Sequence, residues 1–282
     1  MTIQLQDTIV ALATAHGSAA IAVIRLSGPD AVKVLDPFFY SKQLKKKSLA
    51  AVPSHQVSFG VIAHQGIVLD EVLVTVFKAP HSYTGQESIE ISCHGSVFIQ
   101  QQLLQLLLSA GARMAKPGEF TLRAFLNGKL DLSQAEAVAD LIASNSSVSH
   151  QVAMQQMRGG FSDKIKILRN NLIQFASLIE LELDFSEEDV EFANRDELKS
   201  LLNSILSVID KLVSSFEVGN VIKSGIPVAI VGKPNAGKST LLNCLLQDER
   251  AIVSEIPGTT RDTIEDEMII DGVLFRFIDT AG

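Results

Sequence analysis

Short apolar runs alternate with polar and turn residues over the first 120 positions, and this pattern predicts a mixed α+β region. A period of two between turn signals such as Ser27-Gly28-Pro29 is typical of β-strands. Runs with helical spacing interrupt the strands at residues 30–38 and 97–108, where Gly111 supplies a stop. The five predicted strands are residues 8–13, 20–26, 56–63, 68–78 and 88–93.

From about Pro117 onward the pattern is helical. Ser133 followed by Glu136 matches a capping box, which predicts a helix start at that point. Two longer amphipathic runs follow, at residues 165–183 and after Asn194, so we predict part of a helical bundle. The acidic residues from Glu180 to Glu191 lack the glycine and the Asp-x-Asp series of a calcium loop, and we interpret them as a solvated helix end.

After Gly219 the pattern becomes strand, glycine loop, helix and strand, which is typical of an α/β nucleotide-binding domain. Only about 65 residues of it are present, fewer than such a domain normally has. The predicted fold class is therefore multidomain, α+β and α/β. The predicted domains are an N-terminal α+β domain (1–120), an incomplete helical domain (121–218) and the start of a truncated P-loop domain (219–282).

Composition narrows the class of protein. The 282 residues are 46% hydrophobic and 20% charged, with no apolar run long enough to cross a membrane and no signal-peptide pattern, so we expect a cytoplasmic globular protein. Two cysteines are too few for a disulfide framework. The net charge of -8 argues against broad attraction to nucleic acid. One basic cluster is open to two interpretations, an RNA phosphate contact or a solvated loop: Lys42, Lys45, Lys46 and Lys47.

The strongest chemical motif is Gly232-Lys233-Pro234-Asn235-Ala236-Gly237-Lys238-Ser239, a Walker A loop between an apolar strand (227–231) and a predicted helix (240–246). Its backbone N–H groups point at phosphate oxygens. Lys238 places a positive charge on the β- and γ-phosphates, and the Ser239 hydroxyl can ligate Mg²⁺.

Two later segments agree with a nucleotide site. A second apolar strand (275–278) ends in Asp279-Thr280-Ala281-Gly282, where Asp279 can approach Mg²⁺. Between the two strands, Ile256-Pro257-Gly258-Thr259-Thr260-Arg261-Asp262 offers a loop that could place Thr260 on the metal. The order GxxxxGKS, Gly-Thr-Thr, DxxG resembles translation-factor-like GTPases. The catalytic residues predicted here are Lys238, Thr260 and Asp279. The predicted nucleotide-binding residues are Asn235, Ala236, Gly237, Lys238, Ser239, Thr240, Ser254, Glu255, Ile256, Pro257, Gly258, Thr259, Thr260, Asp279, Thr280, Ala281 and Gly282.

A more specific resemblance covers essentially the whole chain. The segments Arg25-Leu26-Ser27-Gly28, His94-Gly95, Pro117-Gly118-Glu119-Phe120-Thr121 and Arg123 to Leu132, followed by Gln134-Ala135-Glu136-Ala137, resemble the MnmE (TrmE) family. The resemblance implies a GTPase that uses a tetrahydrofolate one-carbon donor, in the 5-formyl or 5,10-methylene form. With an MnmG-like flavoprotein, it would modify carbon 5 of the wobble uridine in certain tRNAs. It also implies a homodimer through the N-terminal domain.

The resemblance assigns further site residues. By position, Arg25, Glu90 and Lys129 would bind the folate, and their chemistry suits it: a carboxylate accepts N–H groups of a pterin ring, and cations hold anionic oxygens. The family also implies K⁺ in place of an arginine finger, beside the phosphate oxygens. The matching K⁺ positions are Asn235, Ser254, Ile256 and Thr259, although a threonine is usual where Ser254 stands. We interpret Arg261 as support of the loop.

Two other observations shape the expected function. Cys93 beside His94 could form a nucleophile pair, but no third orienting residue is evident and strand neighbours face opposite sides, so we interpret both as structural. The sequence stops before an Asn-Lys-x-Asp guanine motif, a catalytic carboxylate and the C-terminal helices of the family, so weak nucleotide binding and poor hydrolysis are expected of this chain. The alternatives are a regulatory GTP switch without one-carbon chemistry and a P-loop ATPase with an appended bundle.

Overall fold

A computed structural model describes residues 6–184, 194–232, 237, 240–242, 244 and 265–279. The chain divides into two compact units, Met1–Ala135 and Glu136–Gly282. None of the helices within the described ranges is both long and apolar enough to span a membrane.

The first unit is built on a seven-stranded sheet. Its strands are β1 (Ile9–Leu12), β2 (Ile21–Ser27), β3 (Phe39–Tyr40), β4 (Gln56–His64), β5 (Ile67–Phe77), β6 (Ser88–His94) and β7 (Arg113–Met114). They are ordered β3-β4-β5-β6-β2-β1-β7, with every neighbouring pair antiparallel except β1 and β7. The five predicted strands are confirmed as β1, β2, β4, β5 and β6. Burial alternates along most of β2, β5 and β6, so that every second residue there faces one core. Pattern reasoning missed the two-residue strands β3 and β7.

Two predicted helices of this unit are also confirmed. The first is a short α1 (Ala31–Leu35) that continues as a 3₁₀ turn (Asp36–Phe38), and the second is α2 (Val97–Ser109). Leu103, Leu106 and Leu107 of α2 pack into one core with alternate residues of the sheet. The opposite face of the sheet keeps several apolar side chains exposed, among them Phe59 and Leu73.

Two helices follow the sheet, α3 (Glu119–Leu126) and α4 (Leu132–Ala143). The predicted capping box at Ser133 and Glu136 is wrong, because α4 already begins at Leu132. The reciprocal bonds are made two residues earlier in the chain. Gln134 N donates to Asp131 Oδ1 at 2.9 Å, and Asp131 N donates to Gln134 Oε1 at 3.0 Å. Asp131 and Gln134 therefore form the capping box that was predicted for Ser133 and Glu136.

The second unit contains α5 (Ser147–Met157), α6 (Gly160–Asp184) and α7 (Arg195–Ser224). The two long helices were predicted, and the Asn194 side chain caps α7 by accepting from Asp196 N at 2.8 Å. Helix α5 was missed; its start is fixed by the mutual hydrogen bonds of Ser146 and Ser149.

A three-stranded sheet completes the second unit. Strand β10 (Val273–Asp279) lies between β8 (Ile226–Ile230), to which it is parallel, and β9 (Glu265–Ile270), to which it is antiparallel. Leu242, Met268 and Phe277 form its small buried core. Gly272, in the β9–β10 turn, accepts a hydrogen bond from Val148 N of α5 at 3.3 Å, which joins this sheet to the helices.

Candidate functional site

Arg25 and Glu90, two of the predicted folate residues, face each other across the centre of the N-terminal sheet. They are register partners on β2 and β6. The Arg25 Nε atom donates to Glu90 Oε1 at 2.9 Å, and Nη2 lies 2.7 Å from the same oxygen. Both side chains are a little under one-third exposed. The structure therefore places a charge-assisted pair on the sheet face opposite α2, within reach of a ligand.

Aromatic rings flank the Arg25 guanidinium. Its central carbon lies 5.3 Å from the centre of the Tyr83 ring and 5.7 Å from that of Phe120. Both separations are within the range of a cation–π contact. The Tyr83 hydroxyl is 2.9 Å from Thr121 Oγ1, so the loop that carries Tyr83 and the helix that carries Phe120 are joined beside the pair.

Lys129, the third predicted folate residue, contacts the same loop, residues 80–87. Its Nζ donates to the carbonyl of Pro80 at 3.1 Å, and the neighbouring Asn127 side chain donates to the carbonyl of Thr84 at 2.7 Å. At Gly85 a Cβ atom would lie 3.2 Å from Lys129 Cγ, so the lysine stem runs closely along a backbone without side chain. The loop therefore contacts Arg25 through Tyr83 and Lys129 through Pro80 and Gly85.

Buried hydroxyl groups fix that loop to the sheet. Thr84 is fully buried, and its Oγ1 lies 2.6 Å from Ser27 Oγ of β2 and 3.3 Å from Ser88 Oγ of β6. Ser88 in turn donates to Ser27 at 3.1 Å. Because each buried hydroxyl has a partner, the triangle carries no unsatisfied group, and it holds Tyr83 over Arg25.

An ionic cluster positions Phe120 from the other side. Arg123 is fully buried and donates through Nη1 to the Asp7 carbonyl at 2.7 Å and through Nη2 to Glu119 Oε1 at 3.1 Å and to the Asp7 carboxylate. Arg113 donates to Glu119 Oε1 at 2.6 Å and to Asp7 Oδ2 at 2.6 Å. The Arg113 hydrogen bonds, with those from Lys116 N and Arg123, outweigh burial and lower the pKa of Glu119 to about 2. Glu119 of the Pro-Gly-Glu-Phe segment therefore has a structural role, because it binds both arginines of this cluster.

The donor and acceptor set fits a flat, N–H-bearing heterocycle. A carboxylate with one oxygen held by Arg25 accepts N–H groups through its other oxygen, and the rings of Tyr83 and Phe120 offer flat apolar surface. Lys129 adds a cation for anionic oxygens. The chemistry of these residues therefore suits a reduced folate.

In the second unit, the structure describes some of the elements that flank the predicted nucleotide loop. The carboxyl ends of β8 and β10 lie side by side, since Ile230 and Asp279 are register partners. Gly232 follows β8, and Gly237 adopts a φ of +85° and accepts from Leu241 N at 2.9 Å, at a helix start that includes residues 240–242. Strand end, glycine and helix start thus occur in the order that a phosphate loop requires.

Most of the individual nucleotide-site predictions fall outside the described residues. Of Asp279 only the backbone position at the end of β10 is described, and Thr240 is helical. These predictions therefore stay predictions. The predicted residues outside the described ranges are Asn235, Ala236, Lys238, Ser239, Ser254, Glu255, Ile256, Pro257, Gly258, Thr259, Thr260, Thr280, Ala281 and Gly282.

The structure corrects one part of the reasoning about Cys93 and His94. An orienting residue does exist: Asp70 Oδ1 lies 2.6 Å from His94 Nδ1. Sequence reasoning missed it because Asp70 lies 24 positions away on another strand. The Cys93 side chain is nevertheless buried in the core, and burial raises the pKa of its thiol to about 11. Cys93 and His94 therefore do not form a nucleophile pair, and the structural interpretation of Cys93 agrees with its position.

Comparison with known proteins identifies the class. A family model described as the N-terminus of the GTP-binding protein TrmE matches residues 8–129, and one for the MnmE helical domain matches residues 132–273. A protein of Flavobacterium johnsoniae named tRNA modification GTPase MnmE is 66% identical over 277 residues, which are 98% of this chain and 59% of that protein. Relatives of the same name in Christiangramia forsetii and Cytophaga hutchinsonii are 64% and 65% identical, over 99% and 98% of this chain and 58% and 59% of their own lengths.

Together the matches define a chain with a TrmE-type N-terminal domain followed by an MnmE helical domain. The chain belongs to the MnmE family, as the sequence motifs predicted. It spans about three-fifths of the length of these curated relatives.

Proposed function

We propose that this chain is the folate-binding and nucleotide-binding portion of a tRNA-modification GTPase. The name of its relatives supports GTP hydrolysis and action on tRNA. The observation that carries the folate part is the Arg25–Glu90 pair, partly exposed on the sheet and flanked by Tyr83 and Phe120. Glu90 would accept pterin N–H groups, and Lys129 would hold an anionic oxygen.

In the finer form of the proposal, the ligand is a 5-formyl- or 5,10-methylene-tetrahydrofolate that supplies a one-carbon unit. The target is carbon 5 of the wobble uridine, and an MnmG-like flavoprotein takes part in the reaction. This rests on the family membership and on the chemical fit of the three folate residues. The bound folate would supply the carbon atom; the chain's own residues bind and orient it.

The nucleotide part of the proposal rests on the order of elements around β8 and β10. Lys238 would neutralise charge on the phosphates, Ser239 and Thr260 would ligate Mg²⁺, and Asp279 would approach the metal. K⁺ at Asn235, Ser254, Ile256 and Thr259 would stabilise the negative charge that develops in the transition state. The adjacent ends of β8 and β10 support a phosphate site at that edge of the sheet.

Calorimetric titration with 5-formyltetrahydrofolate tests the folate part directly. We expect micromolar binding by the wild-type chain, and a loss of at least tenfold in the Arg25→Ala and Glu90→Ala variants, because each leaves a charged partner without its counter-charge. Lys33→Ala is the matched control, since Lys33 of α1 is exposed and pairs with Asp30 at 2.6 Å. Absence of binding by the folded wild-type chain would favour a regulatory GTP switch without one-carbon chemistry.

A further inference from the structure

In the N-terminal sheet, the buried carboxylate of Asp70 orients the exposed imidazole of His94. Asp70 Oδ1 lies 2.6 Å from His94 Nδ1 and also accepts from Glu71 N at 2.9 Å, while Oδ2 accepts from His94 N at 2.8 Å. The Asp70 side chain is 7% exposed and that of His94 is 68% exposed. Because a carboxylate only accepts, Nδ1 carries its hydrogen and Nε2 is the nitrogen left to meet a ligand.

His94 stands on the same strand and by alternation on the same face as Glu90. Residues 90, 92 and 94 of β6 share that face, and their partners on β2 are Arg25, Val23 and Ile21. Glu90 and His94 are four positions apart on the strand, which corresponds to about 13 Å. The side chains between Glu90 and His94 are either small or apolar. They are Ser92, its β2 partner Val23 and its β5 partner Leu73, which is exposed.

We propose that His94 is a further ligand-contact residue of the folate site, one that binds a carboxylate of the glutamate tail through Nε2, with Asp70 as its positioning residue. This rests on the proposed function. A reduced folate is long, with an N–H-rich ring at one end, an aromatic linker and carboxylates at the other. Along β6, the sheet face offers matching groups in the same order. The Glu90 carboxylate corresponds to the N–H-rich ring, the apolar surface to the aromatic linker, and the His94 imidazole to the carboxylates.

A carboxylate bound at Nε2 would pair with the charged form of an imidazole ring. When the anionic tail arrives, an N–H bond forms at Nε2 with a proton taken from the buffer, and the Asp70 carboxylate balances the charge on the other side of the ring. The charged groups on the neighbouring strand are Asp70 itself and Glu71, and Glu71 is paired with Lys42 at 3.3 Å. The partner on β2 is Ile21, and the first turn of α2 carries no charged side chain.

Lys129 is the competing cation for the same carboxylate, because it lies beside the loop that covers Arg25. The two residues differ in a measurable way. A lysine binds an anion without exchanging a proton with the buffer, whereas an imidazole can take up a proton when it binds one. Proton uptake on binding therefore distinguishes a tail held by His94 from a tail held by Lys129.

The test is calorimetry with 5-formyltetrahydrofolate at pH 7.5 in two buffers of different ionisation enthalpy. We expect proton uptake by the wild-type chain, and in His94→Gln both loss of that uptake and about tenfold weaker binding. Asp70→Asn should also reduce the uptake, because the charge beside the ring is gone. His64→Gln is the control, since His64 is an exposed histidine of β4 in edge contact with Phe38. A tetrahydropterin without the tail should bind wild type and His94→Gln equally.

The outcomes separate this inference from the function on which it rests. Unchanged affinity and unchanged proton uptake in a folded His94→Gln variant, with binding lost in Arg25→Ala, would overturn only the role of His94. A wild-type chain that binds neither the folate nor the tetrahydropterin would overturn the proposed function as well. An imidazole resonance of His94 that does not shift in NMR spectra on addition of the folate would also contradict direct contact.

Discussion

Arg123 is the largest fully buried side chain of the chain's described part, and its charge is met by Glu119 and Asp7. Methionine at this position would keep much of the side-chain volume. The carboxylates of Glu119 and Asp7 would then have only Arg113 as a charged partner in the cluster. Loss of one member of a buried ion pair typically costs about 3 kcal/mol or more. We therefore expect Arg123→Met to lower the free energy of unfolding of the N-terminal unit by that amount, measured by hydrogen exchange of β2 and β6 amides. Arg158→Met, at an exposed arginine, should change it little.

The same cluster predicts how stability depends on pH. The folded-state pKa of Glu119, lowered to about 2 from an ordinary 4.5, lies below its unfolded value. Its contribution is therefore fully present above about pH 4.5 and is lost as the pH falls from there towards 2. We expect about 3 kcal/mol of stability to disappear over that window and Glu119→Gln to flatten the profile. Urea unfolding at pH 2 to 7 measures it, with Glu87→Gln as control; equal slopes in both variants would contradict it.

For single residues, the sequence could predict which side chains can bind a ligand but not which side chains pair with one another in the fold. The family resemblance predicted Arg25, Glu90 and Lys129 as folate residues, and the structure groups the three around the loop of residues 80–87. Asp7 was missed, since its partner Arg123 is 116 positions away and an aspartate near a chain start gives no local signal. Asp70 was missed for the same reason. Residue identity indicates what a side chain can do, whereas the pairing depends on strand order.

At the scale of elements, helix α7 has one glycine inside it, Gly219, and one at its C-terminal cap, Gly225. We expect replacement by alanine to have opposite effects on stability at the two positions. Gly219 lies inside the helix, where a Cβ would meet nothing within 4 Å. Gly219→Ala should stabilise the second unit by about 0.5–1 kcal/mol, because alanine loses less backbone entropy in a helix. Gly225 ends the helix with φ +79° and ψ 147°, and a Cβ there would lie 3.0 Å from Leu274.

Gly225→Ala should therefore destabilise the unit by about 1–3 kcal/mol, because this backbone region is nearly exclusive to glycine. Thermal unfolding monitored by helical circular dichroism compares the two alanine variants directly. A lower midpoint for Gly219→Ala than for Gly225→Ala would contradict the assignment of the helix end.

Elements with a strong period were predictable, and weakly patterned ones were not. Burial alternates along most of β2, β5 and β6, as a period of two predicts. Helix α5 has a mostly polar sequence, SVSHQVAMQQM, and buries only Ser149 and Ala153, so its periodicity is faint. The capping box was misplaced by two residues because several side chains near position 132 can cap a helix, and only the structure shows that Asp131 and Gln134 do so.

For the molecule as a whole, the sequence predicted which domains follow one another but not the order of strands. Arg25 and Glu90 meet because β6 inserts between β5 and β2, although the two residues are 65 positions apart. That insertion also determines the face on which Glu90, Ser92 and His94 are aligned. The exposed sheet face is therefore a product of topology, and it carries both the proposed ligand contacts and an apolar area.

That apolar area supports the homodimer implied by the family resemblance. Ile21, Val57, Phe59 and Leu73 are 63%, 59%, 47% and 46% exposed on the face opposite α2, and the last three lie on the adjacent strands β4 and β5. Exposed apolar surface of this kind marks interaction sites. We predict that two copies associate through this face. Two buried carboxylates facing an apolar surface cannot be solvated, so a Val57→Glu and Phe59→Glu double variant should sediment as a monomer at concentrations where wild type is dimeric.

Ile67→Glu is the control for added charge, because Ile67 is 68% exposed but lies at the β4–β5 turn, at the edge of the face. It should remain dimeric. A double variant that still sediments as a dimer would place the interface elsewhere, and a monomeric wild type would remove the homodimer from the proposed function. Because the same face carries Arg25, Glu90 and His94, the dimer would also cover the bound folate. Folate should then strengthen dimerisation of wild type, since a ligand that binds only the associated form shifts the equilibrium towards it.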